Sequence, residues 1–222
     1  MGIWKGAFRA DIEKYYRIGY GSEKPRFFNK VCLWVFHLGF HCVVIYRLGN
    51  FGSRLYARNK IIGFPVKIIH FIFDYFIKAV YHVAIDADIG PGFYVGHIGN
   101  IYIGPTKIGA NFSVTHNVTI GVGHTGGKEG VPIIGNNVWV GTGSVISGAI
   151  KIGDNVTITS GCILSRDIPD GCLAAGNPGR VLLNNYDNHH LFGFPPAAPA
   201  AEKPDESIKS DESPGQQNLF SK

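Results

Sequence analysis

The sequence predicts a mainly β protein: a parallel β-solenoid of short strands over residues 81–185, led by an α-helical region over 1–80 and followed by a disordered tail over 186–222. Three observations carry this. An aliphatic residue recurs every six positions in the middle of the chain, thirty glycines stand against one methionine, and the charge balance changes from segment to segment. Glycine weakens helices and strands unless the backbone needs it, so a chain this rich in it turns often. With 222 residues, 45% of them apolar, the chain can bury a sizeable core, which excludes collagen, coiled coil and full disorder.

The solenoid rests on the six-residue repeat. Aliphatic residues stand at Val83, Ile89, Val95 and Ile101, then after one extra residue at Ile108, Val114 and Ile120, and after a loop at Ile134, Val140, Ile146, Ile152, Ile158 and Leu164. Six is neither the helical period nor simply the strand period. Short strands joined by tight turns, three to a coil, explain it, with each aliphatic residue pointing inward onto its copy in the next coil. Such a core is buried only by stacking.

The helical region is read from length and periodicity, with helices over 26–48 and 61–80 broken at Gly and Pro and one helix entry marked by Gly63 and Pro65. Residues 1–80 carry 13 Lys and Arg against 4 acids, so the basicity behind the chain's net charge of +5 belongs to this third alone. The segment Ile61–Phe73 is apolar on nearly every side, which leaves two readings open: burial in a helical cap or oligomer contact, or a basic monotopic face against anionic lipid. The basic residues alternate with buried-type aromatics and form no recognition module, so no nucleic-acid partner is expected. From Tyr186 the composition shifts to Pro, Ala, Ser, Glu and Lys, which cannot bury enough to order itself.

Cys32, Cys42, Cys162 and Cys172 form neither a CxxC nor a disulfide framework and read as reduced thiols, with Cys162 in the core. The N-terminus has no apolar signal core, and Gly6 stands where a myristoylation motif would want Ser or Thr. The longest uncharged run, Val31–Tyr46, falls short of the ~20 residues that span a bilayer. The expected location is cytoplasmic, with a peripheral contact at the inner membrane surface left open. Gly121–Gly126 spells GxGxxG, but no helix pattern follows it, so it is not read as a dinucleotide site.

Residues 82–182, with the hexad columns above and the closing turn Ala175-Gly176-Asn177-Pro178-Gly179-Arg180, resemble the hexapeptide-repeat acyltransferases, in particular their serine O-acetyltransferase branch, which includes acetyltransferases of exopolysaccharide and colanic acid type. The resemblance implies a left-handed parallel β-helix, acetyl-CoA as co-substrate, no resident metal, and a homotrimer or higher assembly.

Counting coils maps Val95 onto Val114, so His97 falls on His116, and Thr142 and Ser160 extend the column. At strand spacing the two histidines lie about 5 Å apart along the axis. Acetyl transfer from a thioester to an alcohol needs a base for the hydroxyl proton and an acid for the departing thiolate, and one imidazole can serve as both in turn. His97, in Val95-Gly96-His97-Ile98-Gly99-Asn100, matches the family's catalytic histidine. Where that family has an orienting Asp, this chain has His82, so His97 is expected to be oriented by His82, by His116, by a backbone carbonyl or by a neighbouring subunit. The resemblance further implies that Gly141, Thr142, Gly143, Ser160 and Gly161 line the acetyl-CoA groove and that Arg180 reaches its phosphates.

In the loop Gly121–Pro132, serine acetyltransferases place an adjacent Arg and His to hold the amino acid, and this chain has Gly130 and Val131. Without that cationic clamp a sugar hydroxyl is favoured over serine as acceptor. His124 is an added candidate for acceptor binding at a subunit boundary. Competing readings are L-serine O-acetylation for cysteine biosynthesis, a zinc carbonic anhydrase-like site using His82, His97, His116 and His124, and a non-catalytic trimeric scaffold.

Overall fold

The computed structural model describes residues 2–126 and 128–193. Four helices come first: α1 (Gly2–Tyr20), α2 (Phe27–Phe36), α3 (Leu38–Arg58) and α4 (Lys60–Tyr81). A solenoid with three parallel faces follows. One face stacks Val83–Ile85, Ile101–Ile103, Thr119–Gly121, Val145–Ser147 and Ile163–Leu164; the second stacks Asp88–Ile89, Lys107–Ile108, Ile133–Ile134 and Lys151–Ile152. The third stacks Tyr94–Val95, Ser113–Val114, Trp139–Val140, Thr157–Ile158 and Leu173–Ala175, and closes with Arg180–Leu183 paired antiparallel.

All thirteen repeat positions are buried, as are Phe93, Phe112, Val118, Val138, Ile150 and Val156. One register differs from simple counting. Ile103, rather than Ile101, pairs with Ile120, while Ile101 pairs back with Val83. Ile101 and Ile103 both point inward from a three-residue strand with Tyr102 facing out, so spacing alone does not choose between them.

Glycine and asparagine divide the turning between them. Asn100, Asn111, Asn117, Asn137 and Asn155 hold the left-handed conformation, which Asn tolerates better than other non-glycine residues. Their amides form ladders, Asn111 Nδ2 donating to Asn137 Oδ1 at 3.0 Å and Asn137 Nδ2 to Asn155 Oδ1 at 2.9 Å. Gly109 does a different job: a Cβ there would lie 2.6 Å from the Gly135 carbonyl oxygen of the next coil.

The first coil has no preceding coil to pair with, and side chains of α1 and α3 take that place. Tyr46 Oη donates to the Ala87 carbonyl and accepts from Ile89 N–H, and Tyr15 Oη does the same with Val95 C=O and N–H. Arg47 donates to the carbonyls of Ile89 and Gly90 and forms a bidentate pair with Asp11, whose Oδ1 also accepts from Gly92 and Phe93 N–H. Lys14 Nζ donates to the carbonyls of Gly92 and Phe112.

The helical region contains the expected helices with shifted bounds. The 26–48 segment breaks at His37 with a bend of 76° between α2 and α3. α4 begins at Lys60, before Gly63 and Pro65, because Asn59 caps it, its side chain accepting from Ile61 and Ile62 N–H. The expectation of a disordered tail fails for residues 186–193. His189–Phe192 forms a 3-10 turn, Phe192 is buried beside Lys14 and Trp139, and Arg17 Nε donates to its carbonyl. The remainder of that tail, 194–222, lies outside the described residues. Cys162 is in the core, and burial pushes the buried Cys42 thiol up to about 12.

Candidate active site

The edge between the third and first faces carries the predicted histidine column. Val95 pairs with Val114 and Val114 with Val140, so the two residues after each valine lie in successive coils. His97 and His116 stand there with ring centroids 5.9 Å apart in an edge-to-face arrangement at 80°. His97 is exposed and His116 half-buried. His116 Nδ1 is buried without a protein hydrogen-bond partner, which costs about 1–3 kcal/mol unless a bound molecule or water takes it.

Below the histidines the column continues as expected. Thr142 lies one coil on, its Oγ1 donating to Thr115 Oγ1 at 3.1 Å, and Ser160 one coil further. Gly141 packs so closely that a Cβ would lie 2.6 Å from Ser160 N, and Gly143 and Gly161 hold φ of +73° and +72°. Gly143 N–H donates to the His116 carbonyl and Gly161 N–H to the Thr142 carbonyl. The result is a glycine-rich strip of backbone, carrying only the small hydroxyl side chains of Thr142 and Ser160, beside two imidazoles, which fits the flat approach of an extended amide-bearing arm such as that of coenzyme A. Arg180 is exposed and pairs across from Ala175 at the last coil, within the closing turn.

His82 is placed differently. It ends α4 in the left-handed conformation, and its carbonyl accepts from Ile101 N–H, so it stacks over Asn100. Among the described residues no hydrogen bond or ring contact joins its side chain to His97. The loop from Gly121 leaves the opposite end of the first face and forms a hairpin, with His124 across from Glu129 at 3.8 Å. Within one chain, His124, Gly130 and Val131 therefore stand at a different edge from the histidine pair. Gly130 backs onto Ala149, where a Cβ would come within 2.7 Å of Ala149 Cβ. No three His, Cys, Asp or Glu side chains converge among the described residues.

One neighbour was missed by sequence reasoning. His37 begins α3, its Nδ1 accepting from Phe40 N–H, and its ring lies 4.9 Å from that of Tyr15 and 6.4 Å from that of Tyr94. Burial lowers its pKa, and the neighbouring His41 and then His97 add to that effect. The only signal was a histidine inside an otherwise apolar helical segment, which is uninformative without the α3 contact to Val95.

The comparisons follow this geometry. The family profile described as "Bacterial transferase hexapeptide (six repeats)" matches residues 132–166. The chain is 30% identical over 166 residues to serine acetyltransferase of Helicobacter pylori, covering 74% of this chain and 92% of that one. This chain belongs to the hexapeptide-repeat transferase family. Other members share less of their length with it. Mitochondrial serine acetyltransferase 3 of Arabidopsis thaliana is 44% identical over 105 residues, 46% of this chain and 26% of that protein. Galactoside O-acetyltransferase of Escherichia coli is 36% identical over 134 residues, 48% of this chain and 66% of that protein. Thus the chain spans between a quarter and two-thirds of several curated relatives that it matches. Serine acetyltransferase of Brucella abortus, solved in complex with coenzyme A, superposes with a TM-score of 0.62 at 25% identity, over 82% of this chain and 68% of that one. The hexapeptide-repeat solenoid here is accordingly the left-handed parallel β-helix of those enzymes.

Proposed function

We propose that this chain is an acetyl-CoA-dependent O-acetyltransferase whose acceptor is a sugar hydroxyl. The observation that carries it is the His97–His116 pair, 5.9 Å apart at a solenoid edge, above a glycine-rich strip of backbone. His97 takes the proton of the acceptor hydroxyl, the freed oxygen attacks the thioester carbonyl, and a tetrahedral oxyanion forms. As the carbon–sulfur bond breaks, the same imidazole returns the proton to the departing sulfur, so no covalent enzyme intermediate is required. Gly141, Thr142, Gly143, Ser160 and Gly161 lie along the donor's arm, and Arg180 approaches its phosphates.

The hairpin bearing His124 stands away from His97 in one chain, so we place it at the site of a neighbouring subunit in a homotrimer. A sugar acceptor is supported by Gly130 and Val131, neither of which offers a cation to an amino-acid carboxylate. The second reading is serine, favoured by the serine acetyltransferases among the relatives. An acceptor screen following CoA release decides between them, with serine, nucleotide sugars and lipid-linked glycans tested in parallel. Turnover with serine alone would overturn the sugar reading. In the same assay His97→Ala is expected to lose about 10²–10⁴-fold in rate, and unchanged turnover would remove His97 as base.

A further inference from the structure

Helix α4 is built inside out. The stripe it packs on α3 is Gly63, Val66, His70, Asp74 and Ile77, largely small or polar. Gly63 lies so close that a Cβ would come within 2.3 Å of the Tyr56 backbone, and His70 packs against Gly49. The helix's interior charges are drawn to that side or matched on it: Lys67 stacks over the Tyr56 ring at 5.0 Å and Lys78 pairs with Asp74 at 2.7 Å. The opposite face is apolar and open, with Ile61 85%, Phe64 57%, Phe71 68% and Ile72 58% exposed. Helix α2 adds Phe27, Phe28, Trp34 and Phe36, all exposed. An apolar cleft of about 230 Å³, lined by Leu38, Ile45, Phe73, Phe76 and Tyr81, lies between the start of α3 and the end of α4.

Charge says what covers this face. All four acids of residues 1–80 are already paired: Asp11 with Arg47, Glu13 with Arg9, Glu23 with Arg17 and Asp74 with Lys78. The surplus is cationic, and four exposed members of it flank the N-terminal ends of the two exposed helices: Arg26 and Lys30 at α2, and Arg58, the last residue of α3, with Lys60 at α4. An uncharged aromatic and aliphatic surface edged by cations complements an anionic bilayer. A second copy docked through the same helices would bring no unpaired acid of residues 1–80 to those cations. Among the described residues no single helix is long and apolar enough to cross a membrane, and α3 is held by the solenoid, so the fitting placement is in the plane of the interface.

We propose that the outward faces of α2 and α4 form a monotopic surface that seats the protein on anionic phospholipid. The test is co-sedimentation of the full chain with vesicles of phosphatidylcholine alone and of phosphatidylcholine with phosphatidylglycerol, at low and high salt. Binding to the anionic vesicles that weakens with salt is expected, together with quenching of Trp34 emission by brominated acyl chains. The double variant Phe64→Ser/Phe71→Ser, altered only at exposed positions, should bind about tenfold or more weakly while its unfolding temperature holds. Arg58→Glu/Lys60→Glu should lose the preference for anionic vesicles. The proposal is overturned if the wild type does not bind, or if either variant binds as the wild type does. It is equally overturned if light scattering shows an oligomer that Phe64→Ser/Phe71→Ser dissociates and vesicles do not compete for it.

Discussion

His97 and His37 show how differently two imidazoles beside the same strand, Tyr94–Val95, are used. His97 is exposed at the solenoid edge, whereas His37 caps α3 through Nδ1 and is held neutral by burial, with its pKa lowered from 6.5. Between that lowered value and 6.5 the unfolded chain binds a proton that the folded chain does not, so stability rises with pH across this window and falls as acid is added through it. His37→Asn retains a capping oxygen and removes the titration, so its melting temperature should vary less over this acid range than that of the wild type. A steeper or unchanged dependence would show that another group is responsible. Asp11 carries a larger stake. It is fully buried against Arg47 and two backbone N–H groups, and Asp11→Ala would strand that guanidinium, lowering stability by about 3–5 kcal/mol in denaturant unfolding. His97 was legible in the sequence because the repeat supplied its coordinates. Asp11 and His37 were not, since Asp11 meets Arg47, Gly92 and Phe93 and His37 meets Tyr15 and Tyr94 across long stretches of chain, and no local spacing encodes such meetings.

Among the elements, the strands were the readable part, because a six-residue period with a buried aliphatic residue admits few other structures. The exception at Ile101 and Ile103 came from two inward residues two positions apart, either of which satisfies the pattern. The turns were read through glycine alone, yet five asparagines hold the left-handed positions and bond across coils. Asn137→Val should accordingly cost about 1–3 kcal/mol, from a branched side chain at positive φ and a broken ladder, whereas Asn137→Gly should cost less. Equal losses in the two variants, measured by denaturant titration, would assign the effect to the ladder alone. The break between α2 and α3 carried Gly39 as its one mark in the sequence. Gly39 sits under the Val95 carbonyl, where a Cβ would approach within 2.1 Å, so docking on the solenoid fixes the bend and helical propensity does not oppose it. In α4 the periodicity announced a helix but its sidedness was hidden, since an inverted arrangement has the same period as an ordinary one.

At the scale of the whole chain, residues 186–193 return along the third face to α1, where Asn188 Nδ2 donates to the Asn137 carbonyl and Phe192 covers Lys14. Composition suggested disorder there because one buried phenylalanine among polar residues leaves no periodic trace. Truncation after Asn185 should lower the melting temperature by several degrees through the loss of that packing, and an unchanged melting temperature would mean that this strap is not held in solution. The cap formed by Tyr15, Tyr46, Arg47, Asp11 and Lys14 has a further consequence. A stack of identical rungs has no intrinsic reason to stop, and its bare end is a template on which another chain's last rung could settle. By occupying hydrogen-bonding positions of the leading rung from Ala87 to Val95 with side chains that cannot themselves be extended, α1 and α3 oppose head-to-tail growth into fibres.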